Sequence, residues 1–168
     1  MASSPLRPYR VMTVCTGNIC RSPMAEIVLR ERFAEAGMGH VLVDSAGTSD
    51  EEHGNPVDPR ARRVLERHGY TVPPHRARRV TDGDLRARDL VLAMTATHVH
   101  ALENLVGGAL APGRLRMLRS FDPQVEGVSG HLLDVADPWY GVEEDFEDTL
   151  LMIEAAAAGV VAHVRAAH

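Results

Sequence analysis

Short apolar runs alternate with segments of helical periodicity along the whole of this chain. Four runs have the length of buried strands and lie at about residues 11–14, 41–45, 89–94 and 115–118. The segments that follow them carry apolar residues on one face, and most end at glycines; the helices that they predict end near residues 36, 69, 106 and 164. The alternation predicts an α/β fold, in which helices pack against a parallel sheet.

Length and composition favour one soluble globular unit. A chain of 168 residues can bury a substantial core as a single domain, residues 1–168, of which residues 1–8 are expected to form a flexible N-terminus. Hydrophobic residues make up 45% and charged residues 24%, which is not the composition of a disordered chain. The net charge of −5 argues against nucleic acid as a partner.

The sequence also indicates where the protein works. Residues 1–10 contain no apolar core of a signal peptide, and the longest apolar stretch, residues 155–164, is too short to span a bilayer. A single disulfide between the two cysteines, Cys15 and Cys20, would contribute little to the stability of a secreted protein. We therefore expect a cytoplasmic protein with reduced thiols and no membrane partner.

The segment from Cys15 to Pro23 has the composition of an anion-binding loop. It follows the first strand, at the carboxyl end of which ligands bind in such sheets, and it leads into the first helix. We expect Ser22 to be the N-cap of that helix and Pro23 its first residue. The unpaired N–H groups and the dipole of a helix N-terminus attract anions.

Residues of this loop fit phosphoryl transfer to sulfur. A Cys15 thiolate would be the nucleophile, and the planar guanidinium of Arg21 would grip two phosphate oxygens. Gly17 allows the main chain to approach the anion, and Asn18 tolerates left-handed backbone angles. A lone cysteine at a strand end is more often a buried apolar residue, so the interpretation depends on the whole nine-residue segment.

A second segment supplies a candidate acid. Residues 137–141 place Asp137 before a proline, with Trp139 and Tyr140 next to it. A carboxylic acid on such a loop could protonate a leaving oxygen, and the aromatic side chains could wall a cleft for an aryl substrate. A plain Asp-Pro turn is the alternative interpretation of the same residues.

Together these segments resemble the low-molecular-weight protein-tyrosine phosphatases. The resemblance rests on residues 15–23 and 137–141 and on residues 44–48, with weaker similarity at residues 75–78 and 117–123. It extends from about Tyr9 to Val164. It implies a three-layer fold with a four-stranded parallel sheet flanked by helices on both faces. It also implies a mechanism without metal or cofactor, acting on tyrosine-phosphorylated protein substrates.

The resemblance assigns a role to each matching residue. Cys15 would attack phosphorus, Asp137 would protonate the leaving oxygen and then activate water, and Arg21 would stabilise both transition states. Ser22 would hydrogen-bond the thiolate, and Asn18 and Ser45 would hold the loop in shape. Cys20 would be the redox partner of Cys15. The substrate-binding residues would be Thr16, Gly17, Asn18, Ile19, Cys20, Ser22, Trp139 and Tyr140.

One stretch departs from the family. Several members have an aromatic residue in the loop after residue 48, where this chain has the acidic residues Asp50, Glu51 and Glu52. We hypothesise that these acids disfavour acidic phosphopeptides.

Three other functions remain open from the sequence. A protein-arginine phosphatase has a similar loop but tends to carry threonine where Ile19 stands, and a thioredoxin-coupled arsenate reductase needs further cysteines. A non-catalytic phosphate- or redox-sensing module would have no need of Asp137. We expect a monomer or weak dimer, and we interpret His98, His100, His163 and His168 as surface residues rather than metal ligands.

Overall fold

The computed structural model describes Pro5 and residues 7–168. Much of the expected flexible N-terminus, residues 1–4 and 6, lies outside the described residues. Within the described part, four parallel strands form one sheet in the order β2-β1-β3-β4. They are β1 (Tyr9–Cys15), β2 (Val41–Gly47), β3 (Leu90–Ala93) and β4 (Leu115–Met117). The expected four-stranded parallel sheet is confirmed.

Five α-helices connect and cover these strands in the described chain. They are α1 (Arg21–Glu35), α2 (Pro59–Arg67), α3 (Asp82–Ala87), α4 (Ala96–Val106) and α5 (Glu143–Ala167). Four of them match the helical segments predicted from the sequence, whereas α3 was not predicted. Residues 118–140, between β4 and α5, contain four short 3-10 turns.

Helices lie on both faces of the sheet because its side chains alternate between two apolar layers. On one face, Val11 and Leu92 belong to the same cluster as Phe33 of α1 and Phe146 of α5. On the other face, residues such as Met12, Val14 and Val91 pack with Leu85 of α3 and Leu102 of α4. The three-layer arrangement is therefore also as expected.

Helix α5 is the longest helix and packs along one face of the sheet. Within the described residues it is the one helix long and apolar enough to cross a membrane by length and composition. The apolar stretch at residues 155–164, which is too short to span a bilayer, is only part of this helix. Nine of its 25 residues, Phe146 and Val164 among them, are buried in the core. This position accounts for its apolar composition.

Strand β2 lies at one edge of the sheet, and arginine side chains cover it. Arg30 of α1 donates from Nε to the main-chain oxygen of Val43, at 2.9 Å. The side chain of Asp44 accepts from Arg88 Nε at 3.1 Å and from Arg78 Nη2 at 3.3 Å. The outer strand thus presents a main-chain acceptor that is already occupied.

The start of α1 differs from the prediction. The helix begins at Arg21 with Cys20 as its N-cap, so Ser22 and Pro23 are its second and third residues. The prediction of Ser22 as the N-cap was wrong because its hydroxyl is buried under the preceding loop and bonded there. Cys20 makes no capping hydrogen bond with its side chain, which leaves the first N–H groups of α1 facing the loop.

Candidate active site

The buried side chain of Asn18 holds the loop between β1 and α1 in shape. This residue has a left-handed backbone with φ of 59° and is fully buried. Its amide nitrogen donates to Ser22 Oγ and to Ser45 Oγ, both at 2.9 Å, and its amide oxygen accepts from the main-chain N–H of Arg78 at 3.1 Å. The loop is therefore fixed to β2 and to the segment before α3.

Cys15 ends β1 at the bottom of the cleft. Its Sγ lies 3.0 Å from Ser22 Oγ, and the residue is 2% exposed. Ser22 is the second residue of α1, so a thiolate at Cys15 would receive a hydroxyl donor close to a helix N-terminus. The position suits a nucleophile that is reached from the cleft.

Arg21 joins the loop to the segment that precedes α5. Its Nη1 donates to the main-chain oxygen of Val135 at 2.9 Å, and its Nη2 lies 3.3 Å from Asp137 Oδ2. The buried Nε finds no hydrogen-bond partner in the described chain. Because buried polar groups are normally satisfied, an unpaired Nε on a guanidinium in the cleft indicates a site for an anionic ligand.

Asp137 and two aromatic side chains form the opposite wall. Asp137 caps a 3-10 turn, Pro138–Tyr140, with its Oδ1 accepting from the Trp139 N–H at 3.1 Å. The rings of Trp139 and Tyr140 meet edge to face with centroids 5.0 Å apart, and Tyr140 is 84% exposed. The acid is thus placed beside an apolar surface open to solvent.

A cleft of about 170 Å³ lies between the two loops. Its lining residues are Cys15, Thr16, Gly17, Ile19, Cys20, Arg21, Ser49, Glu51, Glu52, Asp137, Trp139 and Tyr140. Among the predicted substrate-binding residues, Asn18 and Ser22 do not line it; together with Ser45 they lie beneath the loop. The acidic residues Glu51 and Glu52 do line it, as one side of its mouth.

The second thiol of the loop is buried and uncharged. Burial, with a smaller effect of the nearby Asp58, raises the pKa of Cys20 strongly. Cys15 and Cys20 are both free thiols in the structure. Only Cys15 has a hydroxyl within 3.0 Å of its sulfur among the hydrogen bonds of the described residues.

Two residues with roles in this site were missed in the sequence. Arg60, at the start of α2, donates to the main-chain oxygens of Trp139 at 3.2 Å and Gly141 at 3.5 Å, and it pairs with Asp58 at 3.0 Å. His75 Nε2 lies 2.7 Å from the main-chain oxygen of Asn18. Arg60 stands in no motif, and His75 stands in a segment, residues 75–78, that resembles the family only weakly and was given no role. Both residues reach the site through the tertiary fold.

The prediction that His98 is a surface residue was wrong. His98 is 4% exposed on the first turn of α4, and its Nε2 lies 2.8 Å from Thr16 Oγ1. Burial and the neighbouring Arg21 guanidinium lower its pKa to about 4. His100, two residues later, does have an exposed side chain. Within the described part of the chain, no three His, Cys, Asp or Glu side chains are grouped as metal ligands.

The sheet order and the Cys15 loop define a class: an α/β protein with a cysteine in an oxyanion-binding loop at the carboxyl end of its central strand. The family described as "Low molecular weight phosphotyrosine protein phosphatase" matches residues 10–168. The chain belongs to that family.

Individual proteins are similar to this chain in sequence or in fold. The chain is 48% identical over 158 residues to the low molecular weight protein-tyrosine-phosphatase of Streptomyces coelicolor, with 94% of each chain covered. The crystal structure of YfkJ from Bacillus subtilis has a TM-score of 0.84 at 31% identity and covers 96% of this chain and 98% of that one. The crystal structure of DARP, a Drosophila arginine phosphatase, has a TM-score of 0.80 at 26% identity, with coverage of 92% and 96%.

Proposed function

We propose that this chain hydrolyses phosphotyrosine in proteins through a phosphocysteine intermediate. One observation carries the proposal: a buried thiol and a carboxyl group lie on two loops that face the same cleft, and Arg21 contacts the carboxyl group at 3.3 Å. A module that only binds phosphate would need the loop but no acid opposite it. The arrangement therefore supports catalysis.

In the first step, Cys15 Sγ forms a bond with phosphorus while the bond between phosphorus and the tyrosyl oxygen breaks. Asp137, protonated in this step, transfers its proton to the leaving oxygen. Arg21 and the N–H groups of the loop bind the three equatorial oxygens, on which the charge of the transition state is spread. The unpaired Arg21 Nε is a donor available for this purpose.

In the second step, a water oxygen attacks phosphorus and the sulfur–phosphorus bond breaks. Asp137, now a carboxylate, accepts a proton from the water. The electron pair of the broken bond returns to Cys15 as the thiolate, which Ser22 Oγ is close enough to hydrogen-bond. Inorganic phosphate leaves and the enzyme is regenerated without any external reductant.

Apolar side chains in the cleft favour an aryl phosphate. Ile19 and Trp139 both line the cleft, so the group attached to phosphorus meets apolar surface there. A phenyl ring gains from contact with that surface. The same acidic residues that line the mouth, Glu51 and Glu52, would disfavour acidic flanking sequences.

The remaining features of the proposal concern the molecule as a whole. We expect one domain, residues 1–168, because the described elements share a single sheet. We also expect a cytoplasmic monomer or weak dimer without nucleic-acid or membrane partners, which fits the net charge of −5 and the burial of α5 against the core. Cys20 is the proposed redox partner of Cys15 within the loop.

The test compares steady-state hydrolysis of a phosphotyrosine peptide and a matched phosphoarginine peptide in the presence of a chelator. Cys15→Ser should abolish turnover, and Asp137→Asn should lower kcat about a hundredfold or more, within the range for loss of a general acid. The exposed Asp148→Asn is the matched control for charge. Faster turnover of phosphoarginine would overturn the substrate assignment, and full activity of Cys15→Ser would overturn the mechanism.

A further inference from the structure

His98 is a buried ring that the mechanism above does not use. It lies at the third position of α4 and is 4% exposed, while the side chain of His100 on the same helix is 76% exposed. Burying an imidazole costs free energy unless its polar atoms are bonded. The bonds that it makes should therefore indicate why it is there.

The ring makes one side-chain hydrogen bond, to Thr16 of the loop. Nε2 lies 2.8 Å from Thr16 Oγ1, and the buried Nδ1 has no partner among the described residues. Because the pKa of His98 is lowered to about 4, the ring is neutral at pH 7 and has a single N–H. Buried N–H groups without an acceptor are rare, so the proton belongs on Nε2, which donates to Thr16.

This donation fixes what the Thr16 hydroxyl can do. With its oxygen accepting from His98, its own proton has to point to another acceptor. Thr16 follows Cys15 directly, is exposed, and lines the cleft. Arg21, Asp134 and Asp137 are the charged groups that influence the pKa of the ring, and Arg21 and Asp137 also line the cleft.

We propose that His98 is a positioning residue that acts through Thr16: its Nε2–H holds Thr16 Oγ1 so that the hydroxyl proton is donated into the cleft, to an oxygen of the bound phosphoryl group. The activity measurements that test this inference rest on the proposed function. Binding of inorganic phosphate, measured by calorimetry, tests it even if hydrolysis is absent.

The first experiment is a double-mutant cycle on the complete chain. Thr16→Val should weaken phosphate binding and lower kcat/KM for p-nitrophenyl phosphate about tenfold, the lower end for a hydrogen bond to a charged group. His98→Ala should cause a loss of about threefold to tenfold in the wild-type background and none in the Thr16→Val background. Equal losses from His98→Ala in both backgrounds would mean a merely structural role and would overturn the inference.

A second comparison separates the donor atom from the bulk of the ring. The side-chain amide nitrogen of glutamine reaches as far as Nε2, whereas that of asparagine reaches only as far as Nδ1. His98→Gln should therefore retain phosphate affinity and kcat/KM within about twofold, and His98→Asn should behave like His98→Ala. His100→Gln, on the exposed side of the same helix, is the matched control. Equal behaviour of His98→Gln and His98→Asn would contradict the proposal.

A spectroscopic measurement on the wild-type protein does not depend on any variant. Correlation spectra between ring protons and ring nitrogens report which nitrogen of a neutral histidine carries the proton. His98 should show a protonated Nε2 and a bare Nδ1 at pH 7. A protonated Nδ1 would make Thr16 the donor to His98 and would overturn the proposal.

Discussion

Replacing Asn18 should destabilise the protein through two effects that can be measured separately. Asn18→Ala removes three side-chain hydrogen bonds, two of them buried and one partly buried, worth about 1 kcal/mol each in net terms, or about 3 kcal/mol together. It also places an alanine at φ of 59°, which adds about 1 kcal/mol of backbone strain. Asn18→Gly loses the same hydrogen bonds without the strain, but the greater freedom of glycine in the unfolded chain costs about 0.5 kcal/mol. The expected losses are about 4 kcal/mol for Asn18→Ala and about 3.5 kcal/mol for Asn18→Gly.

Urea unfolding followed by far-UV circular dichroism measures both free energies of unfolding. The control is Asn104→Ala, because Asn104 is exposed on α4 and its replacement should change stability by less than about 0.5 kcal/mol. An Asn18→Ala variant more stable than Asn18→Gly would show that the left-handed backbone is not strained, because without strain only the unfolded-state entropy of glycine separates the two. Losses below about 1 kcal/mol in both variants would refute the view that the Asn18 amide holds the loop.

Three further predictions concern the acid loop, the mouth of the cleft and a buried carboxyl group. Arg60→Met keeps the packing on Phe146 but removes the hydrogen bonds to the main-chain oxygens of Trp139 and Gly141. The kcat for p-nitrophenyl phosphate should therefore fall about tenfold. An unchanged kcat would show that Arg60 does not position the acid. Glu51→Gln/Glu52→Gln should raise kcat/KM for acidic phosphotyrosine peptides about threefold and leave kcat/KM for neutral peptides unchanged. The difference should disappear in high salt. The absence of a selective gain would refute the hypothesis that these acids disfavour acidic phosphopeptides. Burial raises the pKa of Glu26 from 4.5 to about 7. Between these pH values the folded state holds a proton that the unfolded state has lost, so the free energy of unfolding falls as pH rises from about 4.5 to 7. In urea titrations, Glu26→Gln should therefore gain up to about 3 kcal/mol on the wild type across that range, and parallel pH profiles would contradict the shift.

The sheet and the loop between β1 and α1 could be predicted because their signals are local. An apolar run, a turn sequence and a proline follow one another within residues 11–23, and the strand, loop and helix occur in that order. The position of Ser22 was predicted less well. Its residue type suits an N-cap, but hydrogen bonds with Cys15 and Asn18 under the loop compete for the same hydroxyl.

Helix α3 was missed although it has a local signal. Thr81 and Asp84 form a capping box, in which the Thr81 side chain accepts from the Asp84 N–H at 3.0 Å and Asp84 accepts from the Thr81 N–H at 2.9 Å. Gly83 within the first turn and the shortness of the helix obscured it. Attention to the capping pattern would have identified the start of this helix.

The burial of His98 could not be read from helical periodicity. Periodicity shows which residues share a face, but not what that face meets. Because β3 pairs with β1, the start of α4 lies beside the loop that follows β1, and His98 reaches Thr16, 82 positions away in sequence. Contacts of that range depend on strand order, which the motifs themselves do not specify.

The occupied acceptor on β2 has a consequence for self-association. An outer strand offers a template on which another chain can add a strand of its own, and this is a route to aggregation. Here the guanidinium of Arg30 donates a hydrogen bond to the main-chain oxygen of Val43. The side chain of Asp44, the next residue, accepts hydrogen bonds from Arg78 and Arg88. A second molecule approaching this edge would have to displace charged side chains before its main chain could pair, so these arginines disfavour strand addition at β2.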